Sequence, residues 1–194
     1  MQLLKMKNFT FIIIIGIVIG LVVKLFVIEV FTVPTASMEP TILRGSKIYL
    51  QKVVFSFYKN DVVGFLRYEE YFVKRIVGMP SDLVYSEGGI FYVCKKEEIP
   101  QFVRSVTIHK IPKRGDTIIL NDNNFDFYQP LMEKNEGVQA GKIINKIFIN
   151  NSESNTYTFK YNYYFLQGDN TEGSQDSRHF GLIGENQLKG KVVF

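Results

Sequence analysis

Tyr71-Phe72-Val73-Lys74-Arg75-Ile76-Val77-Gly78-Met79-Pro80-Ser81-Asp82 sets the pattern of the chain. Read as a strand, it puts Phe72, Lys74 and Ile76 on one face and Tyr71, Val73, Arg75 and Val77 on the other. Pro80-Ser81-Asp82 then ends it with turn chemistry. The same alternation of short β-rich runs and turn signals extends in both directions. Further strands are expected at Lys47–Val54, Asp61–Leu66, Gly89–Cys94, Thr117–Leu120, Lys142–Ile149, Thr156–Gln167 and Leu188–Phe194. Arg44-Gly45, Asn60-Asp61, Gly88-Gly89, Arg114-Gly115-Asp116 and Asn150-Asn151 separate them, and Asn123–Lys134 reads as one short helix. The fold class is therefore mostly β over residues 32–194.

The 194 residues suit one domain with an appendage. At 46% hydrophobic and 22% charged, the chain is too apolar for disorder and too often interrupted by charge for a polytopic membrane protein. Its net charge of +4 is scattered, without the basic run of a nucleic-acid module. Cys94 is the single cysteine, which excludes an internal disulfide and a cysteine zinc cluster. His109 and His179 are the two histidines, far apart in sequence, so no histidine metal site is expected.

Residues 1–31 differ from the rest. Phe9 to Val23 is apolar except for Thr10, and after Lys24 the apolar character continues to Phe31 with one acid, Glu29. As a helix, Phe9 to Phe31 would span about 34 Å, enough to cross a bilayer core. Lys5 and Lys7 ahead of it place the N-terminus in the cytoplasm and residues 32–194 outside. A cleaved signal peptide is the rival reading, but no small-x-small cleavage site follows. A buried core helix fits poorly with a segment apolar on every side.

Three constellations could carry chemistry. Pro34-Thr35-Ala36-Ser37-Met38-Glu39-Pro40-Thr41 holds a serine among small residues between two prolines that stiffen it. Alone it is equally a stalk. In the strand quoted first, Lys74 lies between two large apolar side chains on its own face. Burial there would lower its pKa towards that of a useful base, although a surface lysine with a packed stem shows the same pattern. Gly168-Asp169-Asn170-Thr171-Glu172-Gly173-Ser174-Gln175-Asp176-Ser177-Arg178-His179-Phe180-Gly181 has the composition of a structured loop, with Asp176 and Arg178 placed to brace it alongside a third charge. Ser56-Phe57-Tyr58-Lys59 matches S-x-x-K but lacks its K-T-G companion.

The apolar segment followed by P-T-x-S-M-x-P-T, V-K-R-I-V-G-x-P-x-D and G-D-N-x-x-x-S-x-D-S-R-x-x-G, in that order, resembles bacterial type I signal peptidases. The resemblance implies a two-sheet antiparallel β catalytic domain behind a transmembrane helix, with 83–157 a variable extension of the sheet. It also implies a serine endopeptidase with a Ser/Lys dyad and no metal or cofactor. By motif position Ser37 is the nucleophile and Lys74 the general base. Thr35 supplies an oxyanion donor and Ser174 orients the lysine, while Arg75, Asp176 and Arg178 form a supporting charge network. Asp61-Val62-Val63 resembles the family's G-D-V-V strand, with Asn60 for the glycine. Further departures are Thr171 for an arginine, Ser81 for a glycine and Met79 for a leucine.

The implied partners are exported preproteins and membrane phospholipid, met by a monomer through an exposed apolar surface near Met38. The implied location is the bacterial cell membrane, single-pass, with the catalytic domain on the extracytoplasmic face. The same features leave open a relative dedicated to one pilus or conjugation substrate, and a non-catalytic anchored binding module.

Overall fold

The computed structural model describes residues 2–67, 69–94, 107–144 and 146–193, and of residues 2–10 and 23 the backbone alone. Lys5 and Lys7, on which the expected orientation rests, therefore have side chains outside the described residues. So do 95–106 of the expected extension and the Phe194 end of the last strand.

Helix α1 (Gln2–Val22) runs into a π-helical turn at Val23–Val27, and the chain then becomes strand β1 (Ile28–Thr32). The expected helix to Phe31 thus stops short. Ile28–Thr32 pairs along its whole length with β2 (Lys47–Gln51), which satisfies its backbone as a strand. Side chains from Phe11 to Val22 are exposed on every side, which excludes the buried core helix. Among the described residues, no helix is long and apolar enough to cross a membrane.

The strands that frame the site are β3 (Val62–Arg67) and β4 (Glu70–Gly78). β5 (Leu83–Glu87), β6 (Ile90–Cys94), β7 (Ile108–Lys110) and β8 (Thr117–Ile119) follow. Next come helix α2 (Phe125–Glu136), β9 (Ala140–Ile143), β10 (Lys146–Ile149), β11 (Ser152–Glu153) and β12 (Thr156–Thr158). β13 (Tyr163–Gln167), the short helix α3 (Ser177–Phe180), β14 (Ile183–Gly184) and β15 (Leu188–Val193) complete the chain.

One seven-stranded sheet dominates, in the order β1-β2-β15-β3-β4-β13-β14, and all of its pairings are antiparallel. Among the described residues, three small sheets accompany it: β6-β5-β7, β12-β8 and β11-β10-β9. The mostly β, antiparallel expectation holds, while the two-sheet arrangement becomes one large sheet with three satellites. Lys142–Ile149, expected as one strand, is the hairpin β9–β10. Thr156–Gln167 breaks into β12, which pairs with β8, and β13, which joins the large sheet. Between them Phe159 N–H bonds to Asp116 and Tyr163 N–H to Pro112, carrying the chain from one sheet to the other.

The faces of β4 follow the alternation read from sequence. Phe72 and Ile76 pack with Val63, Phe65 and Leu166. Val73 joins Met38, Leu50 and Val62, and Val77 joins the cluster under α2. Helix α2 ends at Gly137, whose φ of 66° lets its N–H close back onto Met132 O.

Candidate active site

Ser37 sits on a turn beyond β1, fixed from both sides. Glu39 N–H donates to Ala36 O, and Met38 is wholly buried between Val33, Leu50 and Val73. The apolar surface expected near Met38 is therefore absent at that residue: the turn folds Met38 inward, where its burial anchors Ser37. From the far loop, the Asn170 N–H donates to Ser37 O at 3.1 Å and its side-chain amide to Ala36 O at 3.2 Å.

Lys74 reaches this serine from β4, where it pairs with Val63 of the neighbouring strand. Its Nζ lies 2.6 Å from Ser37 Oγ and donates to Val73 O at 3.0 Å. The residue is only 3% exposed. Burial lowers its pKa to about 8, against the opposing pull of the Asp176 carboxylate. The Thr35 hydroxyl lies 3.1 Å from Ser37 Oγ.

Asp176 caps α3 and is fully buried. Burial alone would raise its pKa. Hydrogen bonds from the Arg178 guanidinium and the Gly168 N–H hold it below the usual carboxylate range. Ser174 is buried beside it. Its hydroxyl completes no hydrogen bond among the described residues, to Lys74 or otherwise.

Arg75, on the face of β4 opposite Lys74, grips Asp169 with both arms, Nε to Oδ1 at 2.8 Å and Nη2 to Oδ2 at 2.6 Å. Its remaining arm donates to Asn60 O at 2.9 Å. The single network expected of Arg75, Asp176 and Arg178 is thus two separate pairs, Arg75–Asp169 and Arg178–Asp176. Each fixes one end of the Gly168–Gly181 loop.

Sequence reasoning passed over Gly168, Asp169 and Asn170, although their G-D-N run stood in the motif. Gly168 packs so tightly that a Cβ there would lie 2.5 Å from Ser37 O and closer still to Ser174 Oγ. Two departures from the family pattern also find their place. Ser81 adopts φ 80°, the left-handed conformation that glycine takes freely and other residues at about 1–2 kcal/mol. Thr171 serves through its backbone, accepting from Arg178 Nη2 at 2.7 Å.

A cleft of about 260 Å³ lies over the pair, walled by Val33, Pro34, Tyr71, Val73, Gly173 and Gln175. β13 pairs with β4 only from Arg75 to Gly78, so residues 70–74 keep one strand edge facing this cleft. The arrangement combines a hydroxyl, an amine whose pKa is lowered to within reach of neutral pH, and an open strand edge. That is the equipment for acyl transfer on an extended peptide.

Comparison with known proteins agrees. The family model described as "Signal peptidase, peptidase S26" matches residues 6–194. Signal peptidase IB of Staphylococcus aureus (strain COL) is 27% identical over 188 residues, covering 93% of this chain and 83% of its own. Signal peptidase I of Aquifex aeolicus is 28% identical over 207 residues, covering 89% and 77%. A solved signal peptidase I from Enterococcus faecalis covers 73% of this chain and all of its own, at 19% identity and a TM-score of 0.34. With a match spanning nearly its whole length, this chain belongs to the signal peptidase family, peptidase S26, and is a serine peptidase.

Proposed function

We propose that this chain removes signal peptides from exported preproteins through a Ser37–Lys74 dyad, as a monomer anchored in the bacterial membrane with its catalytic domain outside. The observation that carries the dyad is the 2.6 Å contact between Lys74 Nζ and Ser37 Oγ in a buried setting. Either proton arrangement suits that distance: charged lysine donates to Oγ, and neutral lysine accepts the hydroxyl proton.

The substrate lies extended along residues 70–74, with small side chains one and three positions before the scissile bond in the cleft. Neutral Lys74 takes the Ser37 proton as Oγ attacks the carbonyl carbon. The Thr35 hydroxyl and the Ser37 N–H steady the developing oxyanion, donors worth about 3 kcal/mol each. Lys74 passes its proton to the leaving amine. It then draws a proton from water, which attacks the acyl-enzyme and frees Ser37.

Cleavage of a preprotein in detergent with phospholipid tests the reading. Wild type should cut after a small residue, and Ser37→Ala and Lys74→Ala should each abolish cutting. Cutting that survives Ser37→Ala would remove Ser37 as the nucleophile. The pH profile gives a second check. Only neutral Lys74 works, so kcat/KM should fall about tenfold per pH unit below its pKa of about 8 and level off above it. A flat profile from pH 6 to 9 would exclude lysine as the base.

Support for the membrane reading lies at the foot of α1. Lys52 N–H donates to Val27 O and its Nζ to Leu25 O. The loop that continues from it carries Val53, 45% exposed, and Phe55, 96% exposed. An apolar loop beside the end of an apolar helix is placed to enter a lipid interface. Phe55→Asp should leave the rate in detergent alone unchanged and reduce stimulation by added phospholipid about tenfold, the effect of withdrawing one aromatic side chain from lipid. Undiminished stimulation would exclude this loop as the lipid contact.

A further inference from the structure

We infer, resting on the peptidase reading above, that Glu70 selects substrates by charge, favouring a lysine or arginine five positions before the scissile bond. Among the described residues, the cleft over the dyad is lined by two charged side chains, Lys74 beside Ser37 and Glu70 at the start of β4. Both lie on one face of the strand, about 13 Å apart at a strand's rise per residue. The cleft thus has a cationic end at the chemistry and an anionic end away from it.

The Glu70 carboxylate stands open to a ligand. It is exposed, and among the described residues no hydrogen bond or ion pair reaches it. Arg67 is its neighbour across the β3–β4 register, yet the Arg67 guanidinium lies 4.1 Å from the Phe180 ring centre and donates to the Phe180 carbonyl at 3.4 Å. Glu69, exposed in the turn just before it, adds a second acid.

Pairing and alternation set the position. β3 covers one edge of β4 from Glu70 to Arg75, and β13 takes the other edge from Arg75 to Gly78. A substrate strand can therefore add only from Lys74 back towards Glu70. With its reacting end at Ser37 and Lys74, four further residues at about 3.3 Å each bring the fifth opposite Glu70. Side chains one, three and five before the cut share a face, and the first two face the cleft that Glu70 lines. A lysine there reaches the carboxylate without leaving water, an attraction worth up to about fivefold, and a glutamate meets repulsion of similar size.

The test uses the full chain in detergent with zwitterionic phospholipid at low ionic strength. Four peptides share alanine one and three positions before the cut. Three carry lysine, glutamine or glutamate five before it, and the fourth has glutamine there and lysine five after the cut. The lysine peptide should be cleaved with a kcat/KM about tenfold above the glutamate peptide, and the fourth no faster than the glutamine peptide. The lysine-to-glutamate ratio should fall towards one in Glu70→Gln and invert in Glu70→Lys. Because it is taken within each variant, partial loss of folded protein cancels.

Equal rates on the lysine and glutamate peptides, with cleavage abolished by Ser37→Ala, would overturn the role of Glu70 and leave the peptidase reading standing. A preference that persists in Glu70→Gln, or that appears only with lysine after the cut, would also overturn it. No cleavage of any peptide by wild type would overturn both readings.

Discussion

Lys74→Met is expected to lose about 10⁴-fold in kcat, the upper end of what a general base contributes, and yet to melt higher than wild type at pH 7. The two effects have one cause. Lys74 is nearly inaccessible, and burial lowers its pKa from 10.5 to about 8. In the unfolded chain it keeps its proton up to about pH 10.5. Between these values the unfolded state binds more protons, so wild-type stability should rise as pH climbs through that window and be lowest below it.

A shift of this size corresponds to about 3 kcal/mol at pH 7. Methionine fills the same channel without a charge, at the loss of the two hydrogen bonds that Nζ makes. A net gain of about 1–2 kcal/mol remains, or roughly 2–8 °C in a domain of this length. Thermal melts of both proteins at pH 7 and pH 10 decide it: the gap should narrow or close at the higher pH. A methionine variant that melts below wild type at pH 7 would mean that the lysine is not strained by its burial.

Gly168→Ala should be nearly as damaging to activity without touching either dyad residue. The added methyl meets the Ser37 carbonyl oxygen on one side and the Ser174 side chain on the other. Neither can retreat: the Ser37 carbonyl is held by Asn170 N–H, and Ser174 precedes the buried, hydrogen-bonded Asp176. Overpacking of this kind costs about 1–3 kcal/mol, and a nucleophile displaced by about 1 Å costs about 100-fold in rate. The loss should fall on kcat. Gly141→Ala in β9 is the control, since its methyl would meet nothing within 4 Å, and it should retain full activity. Equal activity of the two variants would show that the loop yields at Gly168.

Lys74 was legible in sequence because a strand's two-residue period puts it between Phe72 and Ile76, and burial follows from that placement alone. The opposite facing of Arg75 was legible for the same reason. Its partner was not: Asp169 meets Arg75 only because β13 lies beside β4, a pairing between segments about ninety residues apart that no local pattern encodes. Strand β1 was hidden for a different reason. Ile28, Val30 and Phe31 prolong the apolar run of the helix before them, so the switch at Ile28 shows only through the pairing with β2. An exposed apolar surface was expected near Met38, whereas the turn at Ala36–Glu39 rotates that side chain into the core. The Lys142–Ile149 hairpin was read as one strand because apolar residues flank the reversal on both sides.

The join between α1 and the sheet has no slack. Val27 passes directly into β1, Lys52 holds the carbonyls of Leu25 and Val27, and Ser37 lies ten residues beyond Val27. In an anchored enzyme such a join works as a ruler. The nucleophile stands at a set height above the end of its own helix, so the number of residues between a substrate's apolar stretch and its cut is gauged against a rigid reference.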